Sequence, residues 1–215
     1  MVISFNNTIK IIFRLFKKFK DYKIYILPII FFEIVYIFKS RKFFDEISID
    51  NFSKNFNNKN LEYIPTPYYI LHLLNKNIGT IDEDFSKYNF IDFGSGKGRS
   101  CFYFKNKFIK CVGIDINHEY KKFYNFKNFD FIPIDCRKIN DLKNKLDSYD
   151  KNVLYFFHPF EEELILEILN IFSNNKNILV VFYCCNPKID INKYQLIYKK
   201  IFGLKNNNLL IYQKN

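Results

Sequence analysis

Phe90-Ile91-Asp92-Phe93-Gly94-Ser95-Gly96-Lys97-Gly98-Arg99 is the stretch that decides the fold. An apolar run ends in an aspartate, a G-x-G-x-G loop follows, and a helix is predicted over 98–108. The chain has only 6 glycines, and three of them stand in this loop, so the cluster is not a product of composition. Without a Cβ in the way, backbone N–H groups at such a strand–loop–helix junction can approach a ligand closely.

Downstream of the loop the pattern alternates. Strands are predicted over 111–116, 129–134, 153–157 and 178–184, and helices over 118–126 and 139–146. Another helix opens with Glu161, Glu162 and Glu163, acids that suit a helix N-terminus, and buries Leu164, Ile165, Ile168, Leu169 and Phe172. The strand over 178–184 is apolar almost throughout, as a central parallel strand should be. After Pro187, residues 194–202 and 209–212 read as two strands joined by a turn around Gly203, an antiparallel pair that closes the sheet. The sum is an α/β doubly wound fold, mostly parallel with an antiparallel C-terminal strand pair.

Upstream, Ile9, Ile12, Phe13, Phe16 and Phe19 share one helical face and Lys10, Arg14, Lys17 and Lys18 the other. This basic amphipathic segment suits an anionic membrane surface, with the apolar run over 24–38 extending the contact through residues 8–38. It equally suits a helix packed on the main domain with its lysines in water. The run contains Pro28 and Glu33 and falls short of the roughly 20 apolar residues of a spanning helix. A polar stretch over 40–60 reads as a linker, and two prolines, Pro65 and Pro67, open a short helix. The division expected is an N-terminal extension, residues 1–58, and a domain, residues 59–215.

Composition narrows the classes less than it first suggests. The chain has 215 residues, 48% of them hydrophobic, with 27 Phe, 16 Tyr and no Trp. Asn, Lys, Ile, Phe and Tyr are all heavily used, as an AT-rich genome dictates. Lys+Arg 33 against Asp+Glu 22 gives a net charge of +11, which favours polyanionic partners, though lysine is the default polar residue in such a composition. The five cysteines form no C-x-x-C pair and the three histidines show no ligand spacing, so reduced, mostly buried thiols in a cytoplasmic protein are expected and no metal site.

Three ligand classes compete for the glycine loop. A phosphate-binding G-x-x-x-x-G-K-[ST] loop fails, because Ile91 stands at the first glycine and Gly98 at the final hydroxyl position. A dinucleotide G-x-G-x-x-G fingerprint fails at its third glycine, where Arg99 stands. The third reading rests on a resemblance. Asp92-Phe93-Gly94-Ser95-Gly96-Lys97-Gly98 resembles the first motif of class I S-adenosylmethionine-dependent methyltransferases. A narrower similarity, to small bacterial members of that family, adds Tyr63-Ile64-Pro65-Thr66-Pro67 before the loop, His158-Pro159-Phe160 after the fourth strand and Asn186-Pro187 after the fifth.

The resemblance implies a Rossmann-like sheet and a site for S-adenosylmethionine. In it Gly94, Ser95, Gly96 and Gly98 lie against the methionine moiety and Asp92 helps position its charged end. Asp115, followed by Ile116, binds the ribose hydroxyls, Asp135 and Cys136 meet the adenine edge, and Thr66 covers the methionine end. Asp115 also reads as a plain helix N-cap, and Asp135 as a turn residue. Lys97 and Arg99 read as solvated residues at a helix start. His158 replaces the asparagine usual in the narrower group; it either accepts a hydrogen bond from the nucleophile or takes its proton, or it merely caps the strand.

The activity implied is methyl transfer to a nitrogen or oxygen nucleophile on a protein lysine, a small molecule or a glycan. RNA or DNA is less favoured, because the chain lacks the D/N-P-P-Y/F motif of base-amine methylation and any basic–aromatic strip before the core. A non-catalytic cofactor-binding module at the membrane is the alternative from another class.

Overall fold

The structure is a computed structural model that describes residues 23–40, 65–81, 84–157, 160–190, 192–203 and 207–215. The basic segment 8–20, residues 41–60 of the polar stretch, Tyr63, Ile64, His158 and Pro159 lie outside the described residues.

Among the described residues two helices come first, α1 (Ile26–Ser40) after a 3₁₀ turn (Lys23–Tyr25), and α2 (Tyr68–Ile78). The alternating part is β1 (Asn89–Phe93), α3 (Arg99–Phe104), β2 (Lys110–Asp115), a 3₁₀ helix (His118–Phe123), β3 (Phe129–Pro133), α4 (Ile139–Leu146), β4 (Asn152–Phe157), α5 (Glu162–Ile171) and β5 (Ile178–Tyr183). The hairpin β6 (Tyr194–Ile201) and β7 (Asn208–Lys214) completes the chain.

The seven strands form one sheet in the order β3-β2-β1-β4-β5-β7-β6. All pairs are parallel except those of β7, which runs antiparallel to β5 and to β6. The doubly wound, mostly parallel sheet with its antiparallel C-terminal pair is therefore as expected. Strand order reverses between β1 and β4, and in open α/β sheets ligands bind beyond the carboxyl ends of the strands at such a switch point.

Alternation along the strands sorts two cores. Phe90, Cys111, Val153, Tyr155 and Val181 face α1, α2 and α3, where they meet Ile29, Leu71, Cys101 and Phe104. Ile91, Val112, Leu154, Phe156 and Val180 face α4 and α5, where they meet Leu142, Leu146, Ile165 and Ile168. Burial on both faces explains the apolar runs of β4 and β5.

The apolar run over 24–38 packs as α1 on the domain. Ile26, Ile29 and Glu33, spaced by three and four, turn one stripe inward. A buried carboxylate needs partners, and Glu33 has them: Tyr68 N donates to Oε1 at 2.7 Å and Arg99 Nη1 to Oε2 at 2.9 Å.

Two expectations need correction. The helix predicted over 98–108 ends at Phe104, where Lys107 N donates to Phe104 O in a tight turn that brings the chain to β2. The helix predicted over 118–126 is a 3₁₀ helix ending at Phe123. The tighter winding delivers Tyr124 into the core, where its ring lies over Gly113 and Gly98. A Cβ on Gly113 would stand 2.2 Å from Tyr124 Oη, and one on Gly98 2.6 Å from the ring. A glycine in the middle of a strand here marks the close approach of a ring.

Gly113→Ala is expected to cost about 1–3 kcal/mol of stability by overpacking, read as a lowered urea midpoint with unchanged slope. In a Tyr124→Leu background the same substitution should cost almost nothing; an equal cost in both backgrounds contradicts the contact.

Candidate active site at the β1–β4 switch point

β1 ends at Phe93, and the chain turns through three glycines in the left-handed region, Gly94 (φ 75°), Gly96 (φ 54°) and Gly98 (φ 80°). The loop is bound to β2 along its length. Gly94 N and Ser95 N both donate to Ile114 O, at 2.8 and 3.0 Å, and Gly98 N donates to Ser95 O at 3.0 Å. Gly96 N donates to Asp115 Oδ2 at 2.8 Å, while Asn117 N donates to Asp115 Oδ1 at 2.9 Å. Tyr124 Oη lies 3.4 Å from Gly96 O and donates to it from beneath. The N-cap of the following 3₁₀ helix is Asn117, whose side chain accepts from Glu119 N, and Asp115 stands two residues earlier. Asp115 supports the loop and the turn into that helix, and it remains half-buried at the end of β2 beside the half-buried Ile116.

Asp92 lies in register between Gly113 on β2 and Tyr155 on β4, on the face covered by α3. It is buried, and Ser100 Oγ donates to its Oδ2. Burial raises its pKa to about 8, the Ser100 hydrogen bond works against that rise, and the Asp115 charge adds to it. At neutral pH the carboxyl is therefore largely protonated. Across from it Thr66 Oγ1 and Tyr155 Oη share a hydrogen bond of 2.9 Å. Burial drives the Tyr155 hydroxyl well above its ordinary pKa, so it stays neutral.

Lys97 and Arg99, expected in solvent, are both buried. Lys97 Nζ lies 5.7 Å from the centre of the Phe123 ring. Arg99, the first residue of α3, joins three elements: its Nη1 reaches Glu33 on α1 and, at 3.2 Å, Thr66 O, and its guanidinium stacks 4.5 Å from the Tyr68 ring. Beyond β3, Asp135 accepts Arg137 Nη2 at 2.6 Å and the backbone N–H of Arg137 at 3.0 Å, and this pairing holds its pKa below the usual carboxylate value. Burial pushes the neighbouring Cys136 thiol up to about 12, which keeps it uncharged.

The structure therefore gathers Gly94, Ser95, Gly96, Gly98, Asp92, Asp115 and Thr66 at or beside the loop, with Ile116, Asp135 and Cys136 following the adjoining strands. His158 lies outside the described residues, one position past the end of β4. Glu33, Ser100, Gly113, Tyr124 and Tyr155 escaped the sequence reading. Two of them left a signal: an acid in an otherwise apolar run, and a glycine inside a strand. A surface hollow of about 530 Å³ bounded by Tyr194, Leu196 and Tyr212 sits at the β6–β7 edge of the sheet.

No protein-family model matches the chain, and no curated protein matches it by sequence. Solved structures do resemble it. A candidate methyltransferase from Escherichia coli superposes with a TM-score of 0.52 at 12% identity, over 73% of this chain and 93% of its own. A candidate methylase from Haemophilus influenzae gives 0.50 at 14% identity, over 66% and 88%. A SAM-dependent methyltransferase from Anabaena variabilis gives 0.49 at 12%, over 66% and 84%. At such identities the likeness is one of fold.

The raised pKa of Asp92 has a stability consequence. Between an unfolded value of 3.8 and a folded value of about 8 the native state holds a proton that the unfolded chain has lost. Its contribution is full below about pH 4 and declines as pH rises through about 8. Asp92→Asn removes this decline, so its stability relative to the wild type should rise by up to about 1.4 kcal/mol per pH unit across that window. Parallel stability curves in urea titrations from pH 5 to 8 contradict a protonated Asp92.

Proposed function

We propose that the chain is an S-adenosylmethionine-dependent methyltransferase that delivers a methyl group to a nitrogen or oxygen nucleophile. One observation carries this reading. The N–H groups of Gly94, Ser95, Gly96 and Gly98 already donate within the protein, and the carboxylates of Asp115 and Asp135 follow the ends of adjoining strands. A phosphate needs donors. The ribose hydroxyls and adenine amine of any adenosine ligand suit acceptors, and S-adenosylmethionine replaces the phosphates by a positive sulfur and an ammonium, with one carboxylate left for a donor.

The residues present fit that cofactor. Asp115 retains lone pairs for the ribose hydroxyls beyond those taken by Gly96 and Asn117, with Ile116 beside it. Asp135 and Cys136 would border the adenine, and the glycine loop would lie along the methionine moiety under Thr66. Asp92, buried beneath α3, would meet the ammonium directly or through water, and the arriving positive charge would favour its ionised form. The likeness of fold to candidate methyltransferases supports the same reading.

The cofactor supplies a methyl group already activated by its sulfur. What remains for the chain is to align the nucleophile in line with that bond and to exclude water. His158, the residue after Phe157 in the sequence, is assigned the task of accepting the proton of an amine or hydroxyl. The acceptor class favoured is a protein lysine, a small molecule or a glycan.

Asp115→Asn should weaken S-adenosylmethionine binding in calorimetry by about ten- to a hundredfold, the worth of one or two charge-assisted hydrogen bonds. An unchanged affinity contradicts the site. His158→Ala should leave that affinity intact and lower transfer of labelled methyl into fractionated lysate. Binding without transfer by the wild type would reduce the protein to a non-catalytic module, and label in the nucleic-acid fraction would reassign the acceptor.

A further inference from the structure

α1 is apolar on two opposite faces. Ile26, Ile29 and Glu33 turn into the domain, while Ile24, just before the helix, Leu27 and Phe31 turn outward and are 71%, 60% and 63% exposed. Both sets follow the three-and-four spacing of a helical stripe, offset by two residues, about 200° around the axis. The inner stripe is satisfied by the core and by the Glu33–Arg99 ion pair, in which both side chains are 4% exposed. The outer stripe is a continuous apolar face in water. No helix among the described residues is long and apolar enough to cross a membrane.

The sequence leading into this stripe is basic. Up to residue 32 the chain carries Lys10, Arg14, Lys17, Lys18, Lys20 and Lys23 against Asp21 alone. At the start of α1, Lys200 Nζ lies 5.6 Å from the ring centres of both Tyr25 and Phe202. From these observations we propose that the outer face of α1 docks in the plane of an anionic bilayer surface. Ile24, Leu27 and Phe31 enter the boundary between headgroups and acyl chains, and the flanking basic residues meet anionic headgroups.

Such a surface satisfies both halves of the pattern at once. A second copy of the chain would bury the apolar half but bring two sets of like charges together. Residues 8–20 folded back on the stripe would likewise leave the cations without a counter-charge. Docking by this face leaves the inner stripe, and with it Arg99 and the glycine loop, on the side of α1 away from the lipid. The proposal does not depend on methyl transfer.

The test is co-sedimentation of the full chain with vesicles of phosphatidylcholine alone or mixed with phosphatidylglycerol, for the wild type and for L27E/F31E. Both side chains lie in solvent, so the variant should melt at the wild-type temperature. The wild type should bind the phosphatidylglycerol vesicles, bind phosphatidylcholine weakly, and release at high salt. The variant should lose at least about tenfold in partitioning. Equal binding by the two proteins overturns the proposal. So does a wild type that stays off vesicles, and one that sediments as a dimer that L27E/F31E dissociates assigns the face to a second copy.

Discussion

The hydrogen bond from Gly96 N to the Asp115 carboxylate is the constraint on which the rest depends. With Gly94 N and Ser95 N anchored on Ile114 O, it ties the glycine loop to the end of β2 rather than leaving it to a ligand. Once the loop is set, Gly98 in the left-handed region starts α3 at a fixed point, and Ser100 and Arg99 point to Asp92 and Glu33 in consequence. Tyr124 supports the arrangement from below, in space that only glycine at 98 and 113 leaves open.

From Arg99 the constraint passes to the N-terminal helix. Removing one partner of a buried ion pair costs about 3–5 kcal/mol, because the remaining charge has no water to turn to. Glu33 spends one oxygen on Arg99 and the other on Tyr68 N, and Arg99 also holds Thr66 O. α1, the start of α2 and the glycine loop are therefore joined through one guanidinium. A lysine at 99 could not reproduce this, since it has no planar group to lie on the Tyr68 ring while it donates to Glu33 and Thr66 O. The helix that precedes α2 and β1 in sequence is in this way tied to the start of α3, next to the glycine loop.

How much of this was legible follows from what each signal depends on. The glycine loop, Asp92 and Asp115 could be read because backbone conformation and strand ends impose local residue choices. The strands could be read because burial on two faces demands apolar runs. The segment 118–126 was misread because periodicity does not separate a 3₁₀ helix from an α-helix over so few residues, and the packing of Tyr124 on Gly113 is a long-range fact. Lys97 and Arg99 were placed in water by their residue type, and nothing local announces that Glu33, 66 positions earlier, is Arg99's partner. Glu33 in its apolar run was nonetheless an anomaly of the kind that signals a buried pair.

The central claim is that a loop whose backbone donors at Gly94, Ser95, Gly96 and Gly98 are already used, bordered by carboxylates, selects a ligand rich in donors and positive charge. Calorimetric titration of the wild-type protein with S-adenosylmethionine, with NAD and with ATP tests it most directly. The account predicts saturable binding of S-adenosylmethionine that neither phosphate-bearing ligand displaces. Binding of NAD or ATP with none of S-adenosylmethionine would contradict it.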